Sequence, residues 1–163
     1  MPTVYGDFEV AYFCDNRTRG QCLILHRQPM SDVAFVRVQS ACLFGESFRS
    51  TLCDCGKQLE YSLETVGRIG GYVFYLFQEG RGVGLENKIK SLEIERTEGL
   101  NSFEAYEQLG FDIDPRTYEL AVAAMKEVGV PQEIALFTNN LHKVQAIEDG
   151  GFRVVNHIRS MQV

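Results

Sequence analysis

Apolar residues recur along this chain with two different periods. Gln21 to His26 (Q-C-L-I-L-H) and Val33 to Gln39 (V-A-F-V-R-V-Q) are short aliphatic runs joined by a turn holding Pro29, Ser31 and Asp32. Both read as strands. From Gly56 to Val66 the period lengthens: Leu59, Leu63 and Val66 fall at helical spacing until Gly70-Gly71 stops the pattern. Tyr72 to Phe77 (Y-V-F-Y-L-F) is the unbroken apolar run of a strand covered on both faces. Asn101 with Glu104 has the form of a capping box ahead of Ala105, Leu109 and Phe111. A further helix is predicted from Arg116 to Val128, turning Leu120, Ala123, Ala124 and Met125 inward. Ile134 to Phe137 reads as a strand, a short helix with Val144 and Ile147 follows, and Phe152 to Val155 closes the series after Gly150-Gly151. The order predicts one domain over residues 1–163, mixed α+β or α/β, with N-terminal antiparallel strands followed by alternating helices and strands.

Composition narrows the class. A chain of 163 residues, 45% hydrophobic, is long enough for one proper core. No apolar run reaches the roughly 18 residues that suggest a membrane span. The start, Met1 to Asp7 (M-P-T-V-Y-G-D), lacks the basic region and apolar run of a secretory signal. A cytoplasmic protein that contacts no membrane is the expectation. The formal net charge of −6 at pH 7 argues against a nonspecific grip on nucleic acid. It leaves room for a small anionic ligand, because a few local cations can offset the global field.

Three of the five cysteines lie in one stretch, Cys42, Cys53 and Cys55, spaced Cys-x10-Cys-x-Cys. Three thiolates can hold zinc and leave its fourth tetrahedral position for water, whose pKa zinc lowers to about 7. The alternative is ordinary thiols in a reducing compartment, with Cys42 merely buried. A disulfide is disfavoured by the closeness of Cys53 to Cys55 and by the odd count. Cys14 and Cys22 read as strand or loop thiols. His26 and His157 read as structural or surface groups, and His142 as exposed. Glu93, Glu95 and Glu98 read as a solvated face.

Three loops carry further chemistry. Gln78 to Gly84 (Q-E-G-R-G-V-G) follows a strong strand, so backbone N–H groups can approach an anion and Arg81 can grip a phosphate or a base carbonyl. Thr138-Asn139-Asn140 leads into a helix containing Lys143; it suits either a phosphate or plain helix capping. Asp114-Pro115-Arg116 places a proline at a helix start behind an acidic cap. The same acid and arginine beside a nucleotide could also serve proton transfer and phosphoryl chemistry.

Taken in order, S-A-C-L-F-G-E, L-C-D-C-G-K-Q-L-E, Q-E-G-R-G-V-G-L-E-N-K-I, E-A-Y-E-Q-L-G-F-D-I-D-P-R-T-Y and F-T-N-N-L-H-K-V resemble GTP cyclohydrolase II over roughly residues 3 to 155. That family opens the guanine imidazole ring at the start of riboflavin synthesis. The resemblance implies a zinc held by Cys42, Cys53 and Cys55. It implies nucleotide contacts from Arg37, Val38, Gln39, Ser40, Ala41, Gln58, Glu79, Gly80, Arg81, Ser102, Thr138 and Lys143. It implies Asp114 as proton acceptor and Arg116 as a nucleophile toward the α-phosphate, water attack at purine C8, loss of formate and pyrophosphate, Mg²⁺ at the phosphates, and a homodimer.

Several positions depart from the family pattern. Gln39-Ser40-Ala41-Cys42 stands where the family has His-Ser-Glu-Cys, and Phe44-Gly45-Glu46 where it has Thr-Gly-Asp. Phe77 replaces an Arg before the Q-E-G-R loop, and Leu92 replaces a Tyr in the N-K-I helix. The tail beyond the last strand is short. Together these changes remove polar groups near the base and the metal, which weakens discrimination among bases. The expectation is a cyclohydrolase on GTP or a close relative, with one hydrolysis or two. The alternatives are a paralogue acting on another purine or pyrimidine nucleotide ring, and a silent nucleotide-binding protein stapled by zinc.

Overall fold

The computed structural model describes residues 1–112 and 114–159. Ile113, inside the D-I-D-P-R stretch, and residues 160–163 lie outside the described residues. The strands are β1 (Pro2–Thr3), β2 (Gly6–Asp7), β3 (Glu9–Cys14), β4 (Gln21–Arg27), β5 (Ala34–Ser40), β6 (Gly71–Leu76), β7 (Glu133–Phe137) and β8 (Arg153–Ile158). The helices are α1 (Leu43–Glu46), α2 (Cys55–Ile69), α3 (Leu85–Glu98), α4 (Ser102–Gln108), α5 (Glu119–Glu127) and α6 (Leu141–Asp149), with a 3₁₀ turn at Gly80–Gly82.

Six strands form one mixed sheet in the order β3-β4-β6-β5-β7-β8. β3 to β4 and β4 to β6 are antiparallel, while β6, β5, β7 and β8 run parallel. The fold is therefore the mixed α/β class that the pattern predicts, with antiparallel strands at its N-terminal edge. One detail differs from the simplest reading. β4 and β5 follow each other through a turn but do not pair, because β6 inserts between them. The apolar run of β6 explains this: nearly all of it is buried, as a central strand with partners on both edges requires.

Two cores line the two faces. Val36, Val38, Phe74, Leu76, Leu136 and Ile147 lie in the first, with Ala121 and Met125 of α5. Phe35, Val73, Phe137 and Val66 lie in the second, with Leu59 and Leu63 of α2 packed against them. Each fully buried side chain of this size contributes about 1.5–3 kcal/mol before the entropy of ordering is counted. The period-two alternation of β5 has a chemical consequence. Val36 and Val38 face one layer, so Arg37 and Gln39 must share the Phe35 face, beneath the start of α2.

Apart from the short β1, β2 and α1, two elements are not signalled by pattern. β3 is an edge strand that leaves Val10 and Tyr12 exposed, so it shows no clean alternation. α3 buries only Ser91 along its length and leaves Ile89 half exposed, so it has no apolar stripe to reveal it. A third element begins later than predicted. α5 starts at Glu119 and not at Arg116, because the Asp114 carboxylate is taken by the Arg116 side chain and does not cap the helix.

Candidate active site at the carboxyl ends of the parallel strands

β5, β6 and β7 end on the same edge of the sheet, and the loops that follow them carry nearly every residue singled out from sequence. This edge is where open α/β sheets bind ligands. Cys42 follows β5 directly, the short α1 turns the chain, and Cys53 and Cys55 arrive at the start of α2. The three sulfurs lie within 4.8 Å of one another, and Cys42 and Cys53 are 3.6 Å apart. Tetrahedral zinc with bonds of about 2.3 Å holds two sulfurs about 3.8 Å apart, so the donor set and its spacing fit a metal. Gly45 shapes the cradle: a Cβ there would meet Cys53 Sγ at 2.7 Å and Cys42 Sγ at 3.3 Å. Among the described residues this is the one cluster of His, Cys, Asp and Glu dense enough to hold an ion.

The three thiols are electrostatically unequal. Cys42 is pulled down to about 5, first by its hydrogen bond with the Cys55 thiol and further by Lys88. Cys55 is pushed up, chiefly by that same shared bond and then by burial. Burial is the main cause raising Cys53. Binding a divalent cation would release whatever protons the thiols still hold.

A buried polar chain surrounds the cysteines. Gln39, 1% exposed, accepts from Arg37 Nη2 at 2.5 Å and donates to Glu46 Oε1 at 2.6 Å. Glu46 Oε2 accepts from the Tyr75 hydroxyl at 2.5 Å and the Cys42 backbone N–H at 3.3 Å. Arg37 also donates to Gln58 Oε1 at 2.5 Å and to the Phe137 carbonyl at 3.0 Å. Lys88 Nζ reaches Cys42 Sγ at 3.1 Å and Glu79 Oε1 at 2.6 Å. Sequence reasoning overlooked Lys88 and Tyr75. Lys88 lies in the N-K-I stretch and Tyr75 in the Y-V-F-Y-L-F strand, but neither spacing signals a metal partner, and both reach the site from elements distant in sequence.

Cations line the rest of the recess. Arg37, Gln39, Cys55, Gln58, Arg116 and Lys143 border a hollow of about 140 Å³, which Ser40 and Thr138 also line. Arg116 grips Asp114 with two bonds of 2.6 Å, and Asn140 holds Asp114 Oδ2 at 3.3 Å. Burial works against the charged form of both partners, but their mutual hydrogen bonds prevail: Asp114 is held below the usual carboxylate range and Arg116 above its usual value. Lys143 is buried and donates to the Val38 carbonyl at 2.7 Å. Burial, reinforced by Arg37 and Arg116, drives its pKa well down.

Arg81 stands in the left-handed backbone region, with φ 57°, a conformation uncommon for a side chain of this kind. Its guanidinium lies 4.2 Å above the Phe103 ring and donates to Ser102 Oγ at 2.9 Å. α4 therefore aims it. Of the residues expected to touch a nucleotide, Val38 turns its side chain into the opposite core. Thr138 spends its hydroxyl on the Asn140 backbone N–H at 3.1 Å. Ala41 stands next to Cys42 and is half-buried. A larger hollow, about 610 Å³, opens elsewhere between Glu9, His26, Tyr72 and Pro131. None of the cysteines or arginines above borders it. His26 stacks on Tyr72 there, His157 bonds the Thr138 carbonyl, and His142 is exposed.

The loops that close this edge have relatives. The sequence profile of GTP cyclohydrolase II matches residues 1–159. A GTP cyclohydrolase-2 of Shewanella halifaxensis (strain HAW-EB4) is 39% identical over 161 residues, covering 97% of this chain and 76% of the relative. One from Shewanella pealeana (strain ATCC 700345 / ANG-SQ1) is 38% identical with the same coverage. The chain belongs to the GTP cyclohydrolase II family and is a cyclohydrolase.

No helix among the described residues is long and apolar enough to cross a membrane.

Proposed function

We propose that the protein is a zinc-dependent hydrolase that opens the imidazole ring of a purine nucleoside triphosphate at C8, with GTP or a close relative as substrate. One observation carries the reading: three cysteine sulfurs stand at metal spacing, and one of them, Cys55, lines the same recess as Arg116, the ion-pair partner of Asp114. Cys42, Cys53 and Cys55 would hold the zinc, which supplies Lewis acidity that makes water reactive near neutral pH. Arg37 and Arg81 offer positive charge for the triphosphate, and Lys143, whose charged form burial disfavours, offers a hydrogen-bond donor. Asp114 lies within proton-transfer distance of Arg116 Nε and Nη2. It would take the proton that Arg116 must lose to attack the α-phosphate. The ion pair keeps Arg116 charged at rest, so that proton moves only with substrate in place. Mg²⁺ would travel with the triphosphate, and no side chain is assigned to it. Loss of formate and pyrophosphate, a homodimer, a cytoplasmic location and a place in riboflavin synthesis rest on the family resemblance. The five free cysteines suit a reducing compartment.

A second reading keeps the chemistry and changes the ring. Gln39 has its amide engaged by Arg37 and Glu46, and Phe77 offers an exposed apolar ring packed edge-on against Tyr75. Both features favour weaker discrimination for guanine. Metal analysis coupled to product mass after incubation with GTP, ATP, UTP and CTP tests both readings. The expectation is about one zinc per chain, bound through the cysteines, and a ring-opened product from GTP that Cys55→Ala abolishes. Protein that is fully metal-loaded yet leaves every nucleotide intact would remove the proposal, and a stronger reaction with another nucleotide would favour the second reading.

A further inference from the structure

We propose that Lys88 is a positioning residue for the metal centre, donating to the Cys42 sulfur and tying the metal-holding turn to the Q-E-G-R loop through Glu79. The inference rests on the reading of the cysteine triad as a metal site.

Three kinds of partner converge on one ammonium. Lys88 Nζ lies 3.1 Å from Cys42 Sγ, 2.6 Å from Glu79 Oε1 and 5.1 Å from the centre of the Phe44 ring. The pair is largely removed from solvent, with side-chain exposures of 16% for Lys88 and 17% for Glu79. A long, flexible side chain held in this way has given up rotamer freedom, and a surface ion pair seldom repays that loss. Here the partners are fixed by their own bonds. Glu79 Oε1 also accepts from the Gly80 N–H at 2.9 Å, and Oε2 accepts from the Leu43 N–H at 2.6 Å. Both carboxylate oxygens are therefore engaged by backbone on either side of the recess, one loop before α3 and one residue after Cys42. Glu79 acts as the rivet between the loops.

Charge explains why a lysine stands there. Three thiolates around a divalent cation carry a net charge of −1, and a half-buried negative site is unfavourable without a nearby cation. A hydrogen bond from an ammonium withdraws electron density from the sulfur. A bound metal then keeps more of its Lewis acidity, and groups that orient ligands from the next layer outward typically change metal affinity 10- to 100-fold, as an order of magnitude.

The test uses the full-length protein, stripped of metal and titrated with Zn²⁺ against a chromogenic chelator, and separately with Co²⁺ to read the sulfur-to-cobalt charge-transfer band. Lys88→Met should bind Zn²⁺ about 10- to 100-fold more weakly and move the band to lower energy, because its sulfur is no longer stabilised by an N–H donor. Lys88→Arg should keep the band near its wild-type position. Glu79→Gln, which leaves the lysine but breaks its ion pair, should move the band in the same direction by less. Lys90→Met, on the exposed side of the same helix, is the control and should change neither readout. Wild-type affinity and an unmoved band in both K88M and E79Q would overturn the proposal, as would weakened binding with an unmoved band. Wild-type protein that binds neither ion through its cysteines would instead overturn the metal reading beneath it.

Discussion

Asp114 and Arg116 are two residues apart and lie in neither helix nor strand, yet they form a bidentate ion pair at the recess. Their sequence context, acid-proline-arginine, is equally that of a helix start, and only the observed bidentate bond decides for the pair. Asp114→Asn keeps the shape and removes both the charge and the capacity to accept a proton. Its kcat should fall about 10²–10⁴-fold while its metal content stays at the wild-type level, measured by steady-state rates beside metal analysis. The pair also leaves a pH signature. Asp114 is held below the ordinary carboxylate value of about 3.9. A depressed carboxylate contributes stability that is complete above its unfolded pKa and is lost as pH falls through its folded pKa. Wild type should therefore unfold at a higher temperature than Asp114→Asn near neutral pH. The gap should narrow only as pH falls below about 3.9, as calorimetry of the two proteins across acid pH would record. Gln39 and Arg37 make the complementary point at this scale. Their residue types suggest solvent, and their strand position buries them, because period-two alternation sends them to the inner face whatever their polarity.

Helices with a local signature were readable and those without one were not. α4 announced itself through Asn101 and Glu104, and the structure contains the full reciprocal box: Asn101 Oδ1 accepts from the Glu104 N–H, and Glu104 accepts from the Asn101 N–H. This cap matters to the site because α4 carries Ser102, Phe103 and Tyr106, which all contact the Arg81 guanidinium. Asn101→Ala should cost about 1 kcal/mol, the usual loss for such a cap. It should also raise KM for the nucleotide more than it lowers kcat, because Arg81 loses its platform and the metal does not. Equal falls in kcat and kcat/KM, with KM unmoved, would argue against this role for α4. α2 was readable from its apolar period and from the glycines that stop it, and Gly70 does adopt φ 76° at its end. α3 escaped because it buries only Ser91. Its importance lies in Lys88, which packs inward as a charged residue and so leaves no hydrophobic trace.

A chain with net charge −6 gathers Arg37 and Arg116 around one small recess, with Arg81 nearby. If these cations serve a triphosphate, salt should screen them, since the Debye length shrinks from about 10 Å at 0.1 M to 3 Å at 1 M. KM should rise steadily with ionic strength while kcat changes little, and a flat KM across that range would separate the cations from substrate binding. The one-dimensional order of residues already determined a mixed α+β or α/β class, a buried strand read as Tyr72 to Phe77, the cysteine group and the glycine-rich loop, because each depends on neighbours within about fifteen positions of chain. It could not determine that β6 would part β4 from β5, that Gln39 would link Arg37 to Glu46, or that Lys88 would meet Cys42 across 46 residues. Those contacts arise when separate elements stack. Side-chain reach and burial then select partners that no local period encodes.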